Sequence, residues 1–144
     1  MRVFQLIFYL VAFIIAFFDF RNLRICNVHV ILFAVSGFIT THPSCAYDFF
    51  IRIFSAFAMF FLTYAVYRCC GGIGGGDVKL CAATALVLGL SKASCCILAA
   101  CVLAIGYGLF LHYRKIPKAV QERRNKIPFG SFLCPVSIIL VGYA

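Results

Sequence analysis

The stretch Ala93–Leu111, ASCCILAACVLAIGYGLFL, runs for 19 residues without a charged side chain. A bilayer's hydrocarbon core calls for roughly 20 apolar residues in a helix, and a helix satisfies its own backbone amides there, so this segment reads as a membrane crossing. Comparable runs lie on either side of it, at Val3–Phe18, Ile25–Thr40, Phe49–Tyr67, Val78–Leu90 and Pro128–Tyr143. The expectation is an all-α polytopic membrane protein of about six transmembrane helices, folded as one transmembrane domain over residues 1–144. Val78–Leu90 is the short one, with 13 residues. It can reach across only if the Gly71–Gly76 stretch or surrounding protein supplies part of the path. The first run ends in Phe17–Phe18–Asp19 with no small-residue cleavage site, so it reads as a retained helix and not a signal peptide.

Composition agrees. The 144 residues are 65% hydrophobic and 12% charged, with a mean hydropathy of +1.06. Soluble domains are about 45–50% apolar and about 25% charged, which excludes a water-soluble globule. The formal net charge is +9. With six spans, the odd-numbered loops carry nine basic residues: Arg21, Arg24, Arg68, Arg114, Lys115, Lys118, Arg123, Arg124 and Lys126. The other side has Arg2, Arg52 and Lys92, so the positive-inside rule puts the odd loops in the cytoplasm and both termini on the extracytoplasmic side. The basic stretch Arg114–Lys126 then faces anionic headgroups, and membrane lipids rather than nucleic acid are its expected partner.

The four acidic residues are Asp19, Asp48, Asp77 and Glu122. Asp19 closes the first span and Asp77 opens the fourth, so an up-and-down topology sets both carboxyls at the same depth near the cytoplasmic face. Taken singly, Asp77 could simply cap the helix that starts at Val78, and Asp19 could simply mark the interface beside Arg21. Taken together, they form a candidate pair. Two carboxyls close together resist ionising at once and share a proton, so one can activate water while the other protonates or polarises a carbonyl. Which would be base and which acid is open.

Just before the second aspartate stands Gly71–Gly72–Ile73–Gly74–Gly75–Gly76. Glycines permit positive φ and close backbone approach, so the loop could present amides and carbonyls to an extended peptide. A phosphate loop needs Gly-Lys-Ser/Thr, whereas Asp77 follows here and would repel phosphate. The nine cysteines include no C-x-x-C pair, which argues against a zinc ribbon or thioredoxin-like site, and Cys69, Cys70, Cys81, Cys95, Cys96, Cys101 and Cys134, in or beside apolar runs, read as small apolar fillers between helices. No cofactor or metal is expected.

Gly74–Gly75–Gly76–Asp77 resembles the GxGD signature of intramembrane aspartic peptidases, and its continuation Val78–Lys79–Leu80 resembles the form found in type IV prepilin peptidases. Asp19–Phe20–Arg21–Asn22–Leu23–Arg24–Ile25–Cys26–Asn27 is similar to that family's first aspartate motif, D-x-R-x-x-x-I-P-N, with Cys26 in place of proline. Ile127–Pro128–Phe129–Gly130 is similar to the Pro-Phe-Gly element opening the family's last helix. The resemblance implies an endopeptidase that removes the short basic leader of prepilin-like or pseudopilin-like proteins at the cytoplasmic membrane face, typically after glycine. Asp19 and Asp77 would be catalytic, with Gly74, Gly75, Gly76, Lys79, Arg21, Asn27, Pro128 and Gly130 supporting the loops or the substrate. The methylating zinc domain of larger members has no counterpart here, so the small, peptidase-only form is expected, in the inner (cytoplasmic) membrane. A homo-oligomer or the pilus or secretion machinery are further candidate partners.

Two alternatives stand beside this reading. One is a non-catalytic small transporter or assembly component that uses its glycines for helix packing. The other is a GxGD protease of the signal-peptide-peptidase type, whose first aspartate usually follows tyrosine in mid-helix, whereas Asp19 follows Phe18 at a helix end.

Overall fold

The structure, a computed structural model, describes residues 2–22, 25–42, 45–70, 74–113 and 129–142. Pro128, the Gly71–Ile73 part of the glycine loop and the basic stretch Arg114–Lys126 lie outside the described residues. Each apolar run becomes one helix: α1 Arg2–Asn22, α2 Asn27–Thr41, α3 Ala46–Cys70, α4 Gly75–Leu88, α5 Leu90–Tyr113 and α6 Phe129–Gly142. Three contain stretches long and apolar enough to cross a membrane, Val3–Asn22, Ala46–Cys69 and Leu90–Phe110. The other three have 15, 14 and 14 residues, or about 21–23 Å at 1.5 Å per residue, short of a hydrocarbon core of about 30 Å.

The short fourth helix is the most enclosed. It packs on α2, α3, α5 and α6 and buries Val78, Leu80, Cys81, Ala83, Thr84, Ala85, Val87 and Leu88. Its start differs from the sequence expectation, because Gly75 and Gly76 belong to its first turn instead of to a loop. Nor does the described end of that loop use positive φ: Gly74 sits at φ −74° and ψ 146°. The left-handed conformation appears instead at Gly89, φ 77°, where α4 turns directly into α5 and a Cβ would be strained.

Small residues let the helices close up. A Cβ on Gly37 would lie 2.5 Å from a Val87 methyl and 2.9 Å from the Phe8 ring, so α1, α2 and α4 meet where that side chain is missing. Outward, α1, α3 and α5 show large apolar groups such as Phe13, Phe54, Phe57, Leu98 and Val102, as a lipid-facing surface requires. Cys81, Cys96 and Cys134 fill the interior, whereas Cys26, Cys45, Cys69 and Cys95 are exposed. Of the expected fillers, Cys81, Cys96 and Cys134 are buried, whereas Cys69 and Cys95 are not.

Arg52 fastens the end of the bundle away from the acidic pair. Its Nη1 donates to Thr41 Oγ1 and, at 2.7 Å, to Val87 O, while Nη2 donates to Thr41 O at 3.3 Å. These acceptors belong to the last turns of α2 and α4, where carbonyls lack intrahelical partners and a cation is favoured.

Candidate active site

Asp19 lies in the last turn of α1, buried, with its carboxylate directed at the start of α6. Its Oδ2 accepts from the Ser131 backbone N–H at 3.0 Å, with Ser131 Oγ 3.5 Å away, and the Gly130 N–H also donates to the carboxylate. These amides have no helical partner of their own, and a helix N-terminus favours negative charge. Ser131 is fixed in turn, because its hydroxyl donates to Ala16 O at 2.8 Å. Arg21 is exposed, so what holds Asp19 is α6 and not its neighbour in sequence.

Asp77 lies in the first turn of α4 and accepts from Gly74 N–H at 3.1 Å through Oδ2. That is the capping role the sequence allowed. It occupies one oxygen, and Oδ1 has no hydrogen-bond partner among the described residues. The two carboxylates come from helices that meet mainly through others: α1 packs on α2 and α6, and both of those pack on α4. Asp19 and Asp77 lie within Coulombic reach of each other, and the buried Cys134 lies within reach of both.

Ile25 lies close to Gly76, next to Asp77 in sequence, and to Gly130, whose amide region faces Asp19. A Cβ on Gly76 would lie 3.1 Å from Ile25 Cβ, and one on Gly130 would lie 2.9 Å from Ile25 Cδ1 and 2.9 Å from Asp19 Oδ2. One on Gly74 would lie 2.9 Å from Asp77 Oδ2. Three glycines thus let the backbone approach the acids or Ile25, while a Cβ on Gly75 would meet nothing within 4 Å. The pattern G-x-G-D followed by a distant glycine reads here as contact geometry, with the free position where the pattern has x.

The remaining expected residues sit apart from the carboxylates. Lys79 Nζ donates to Asn27 Oδ1 at 2.8 Å, an exposed contact joining the start of α4 to the start of α2. Cys26, where the resemblance expects proline, caps α2 at φ −73°, inside the range proline imposes. Among the described residues no three His, Cys, Asp or Glu side chains gather as a metal-ligating group. Two contributors escaped the sequence reading. Ser131 carried only the weak signal of a polar residue at a helix start, and Ile25 stood within a motif without any visible role.

The type IV leader peptidase family matches residues 6–109, a span that contains both aspartates and the glycine stretch. The chain belongs to the type IV leader peptidase family. No curated protein and no solved structure gives a match. A family of peptidases accords with two acids held at one end of a helical bundle, and it makes the chain a protease of the membrane. The start of α6, which holds Asp19, lies beyond the matched span.

Proposed function

We propose that this protein is an aspartic endopeptidase that removes the short basic leader from prepilin-like or pseudopilin-like proteins at the cytoplasmic face of the inner membrane, after a glycine. Asp19 and Asp77 are its catalytic carboxyls. The observation that carries this reading is their convergence: Asp19 near the end of α1 and Asp77 at the start of α4, far apart in sequence, come near enough to feel each other's charge within a peptidase family. One carboxylate takes a proton from water as it attacks the scissile carbonyl, while the other, protonated, donates to the carbonyl oxygen; as the tetrahedral intermediate collapses, the first returns its proton to the leaving amine and the second recovers one from the intermediate's hydroxyl. Oδ1 of Asp77, which takes no hydrogen bond from the described residues, suits either task. In this reading the chain is one domain crossing the membrane six times with both termini outside. The short α4 spans because neighbouring protein covers it. Gly74, Gly76 and Gly130 seat the carboxylates, and the Lys79–Asn27 contact steadies the rim.

The capping bonds favour a second reading, in which both aspartates serve packing alone. Co-expression with a candidate prepilin-like protein, with leader removal read as a mobility shift, separates the two. Asparagine keeps an acceptor oxygen for the amides that Asp19 and Asp77 receive but cannot exchange a proton. Asp19→Asn and Asp77→Asn should each insert normally and cleave at less than about one-hundredth of the wild-type rate. Substantial cleavage by either variant would leave the packing role as the sole one.

A further inference from the structure

The two aspartates are held unequally. Asp19 takes main-chain N–H donors from both Gly130 and Ser131 at the start of α6. The Ser131 hydroxyl commits its proton to Ala16 O at 2.8 Å, so the amides are what serve the carboxylate. Asp77 takes one amide, from Gly74 at 3.1 Å, and its Oδ1 takes none from the described residues. A donor binds a charged oxygen more strongly than a neutral one, so each amide favours the ionised form of its acid. Other influences do not separate the pair in this sense. Both acids stand at a helix start, Asp19 at that of α6 and Asp77 at that of α4, and their mutual repulsion is the same for each. The Cys134 thiol of α6 is within Coulombic reach of both and the Cys81 thiol within reach of Asp77, while Arg21, Arg68 and Lys79 are exposed and His29 of α2 packs on Phe18. Enclosure works the other way, since Asp19 is buried and Asp77 only half-buried. A buried carboxylate that accepts two or three main-chain amides nonetheless holds its charge.

Resting on the peptidase reading above, we propose a division of labour within the pair: Asp19, kept as a carboxylate by the α6 amides with Ser131 as positioning residue, activates water, and Asp77 carries the proton. Asp77 suits that task. The Gly74 N–H uses Oδ2 as an acceptor, so the proton sits on Oδ1, the oxygen a substrate carbonyl can approach. In the attack, an O–H bond of water breaks toward Asp19, the water oxygen bonds to the carbonyl carbon, and the Oδ1 proton of Asp77 passes to the carbonyl oxygen. On collapse the C–N bond breaks, Asp19 gives its proton to the leaving amine, and Asp77 regains one from the hydroxyl.

The chain has three aspartates, so replacing Asp48 and one member of the pair by asparagine leaves a single aspartate in the full-length protein. The two such proteins, labelled with carbon-13 aspartate and purified in detergent, are titrated by infrared spectroscopy, which reads the carbonyl stretch of the protonated carboxyl. The protein that retains Asp19 should ionise at least about one pH unit below the one that retains Asp77, the worth of one further hydrogen bond to a charged group. Ser131→Pro deletes the amide, so it should raise the Asp19 midpoint by about one unit and leave the Asp77 midpoint in place. Ser131→Ala keeps the amide and should move neither by more than about half a unit. Where Ser131→Pro fails to insert, the two midpoints decide alone. Equal or reversed midpoints overturn the assignment and leave the dyad standing. An unmoved Asp19 midpoint in inserted Ser131→Pro removes Ser131 from it. The expected order in a protein whose parent cleaves no prepilin-like substrate removes the peptidase reading, and the proton roles fall with it.

Discussion

Replacing Gly130 by alanine places a methyl group 2.9 Å from Asp19 Oδ2, 3.3 Å from Asp19 Cγ and 2.9 Å from Ile25 Cδ1, where ordinary contact begins near 3.4 Å. Relief requires a shift of about half an ångström in the acid, the isoleucine or the helix. None of the three gives freely. Asp19 is held by the Ser131 amide at 3.0 Å, Ile25 already presses on Gly76, and α6 is tied to α1 through Ser131 Oγ and Ala16 O. Overpacking of this kind costs about 1–3 kcal/mol, and stretching a hydrogen bond to a charged group adds part of its roughly 1.5–3 kcal/mol. For chemistry the displacement matters more than the strain. A misplacement of about 1 Å costs about a hundredfold in rate, so half of that predicts about a tenfold loss. The assay is the initial rate of leader removal from a prepilin-like protein, normalised to inserted enzyme measured by immunoblot. Gly75→Ala is the matched control: its methyl meets nothing within 4 Å, and alanine in a helical turn is neutral to about 1 kcal/mol stabilising. It should cleave within about threefold of wild type by the same geometric reasoning. Full activity in Gly130→Ala would refute the crowding argument. Equal loss in Gly75→Ala would show that the glycines serve passage of substrate and not the seating of the acids.

Arg52→Ala removes the hydrogen bonds that close the last turns of α2 and α4; it should destabilise by about 2–4 kcal/mol and lower the melting temperature in detergent by about 5 °C or more. The protein that remains folded should keep its cleavage rate, since the acids lie at the other end. Cys26→Pro should be tolerated, with cleavage retained and stability unchanged or up to about 1 kcal/mol higher, because φ is already −73°; a drop in the melting temperature would contradict this. Impermeant thiol labelling of sealed cells should reach Cys45 before a cysteine introduced near Lys118, as the imbalance of basic residues demands; the reverse order would invert the topology and carry both aspartates to the outer face.

The helices were legible because each falls in an apolar run of the sequence, although Arg52 interrupts the third and the fourth is short and holds Lys79. Their ends were less so. The glycines before Asp77 read as a loop, since glycine is a poor helix former, yet Gly75 and Gly76 occupy a first turn whose lead amide Asp77 itself secures. The fourth run looked too short to span, and its burial on α2, α3, α5 and α6 explains why: a helix covered by protein need not match the thickness of the bilayer. Arg52 looked like one cation in a charge tally. Its real partners are carbonyls on two other helices, which no local pattern announces.

The aspartates illustrate the same divide between local and distant information. Their shared depth follows from counting crossings, but the bond from Ser131 to Asp19 joins residues 112 positions apart and could be found only in three dimensions. That bond also bears on whether capping and catalysis compete. A free carboxylate on a helix end samples many rotamers, whereas one whose Oδ2 is pinned by a helix-terminal amide presents its remaining surface in a fixed direction. Both acids here are pinned through Oδ2 by main-chain amides, one at the start of α6 and one at the start of α4. Positioning of that sort is what acid–base chemistry asks of its groups, since reacting atoms must be held before the reaction and not during it. On the proposed function the caps are a means of aiming the carboxyls. This is why asparagine, which preserves the cap and removes the acid, is the substitution that distinguishes a scaffold from an enzyme.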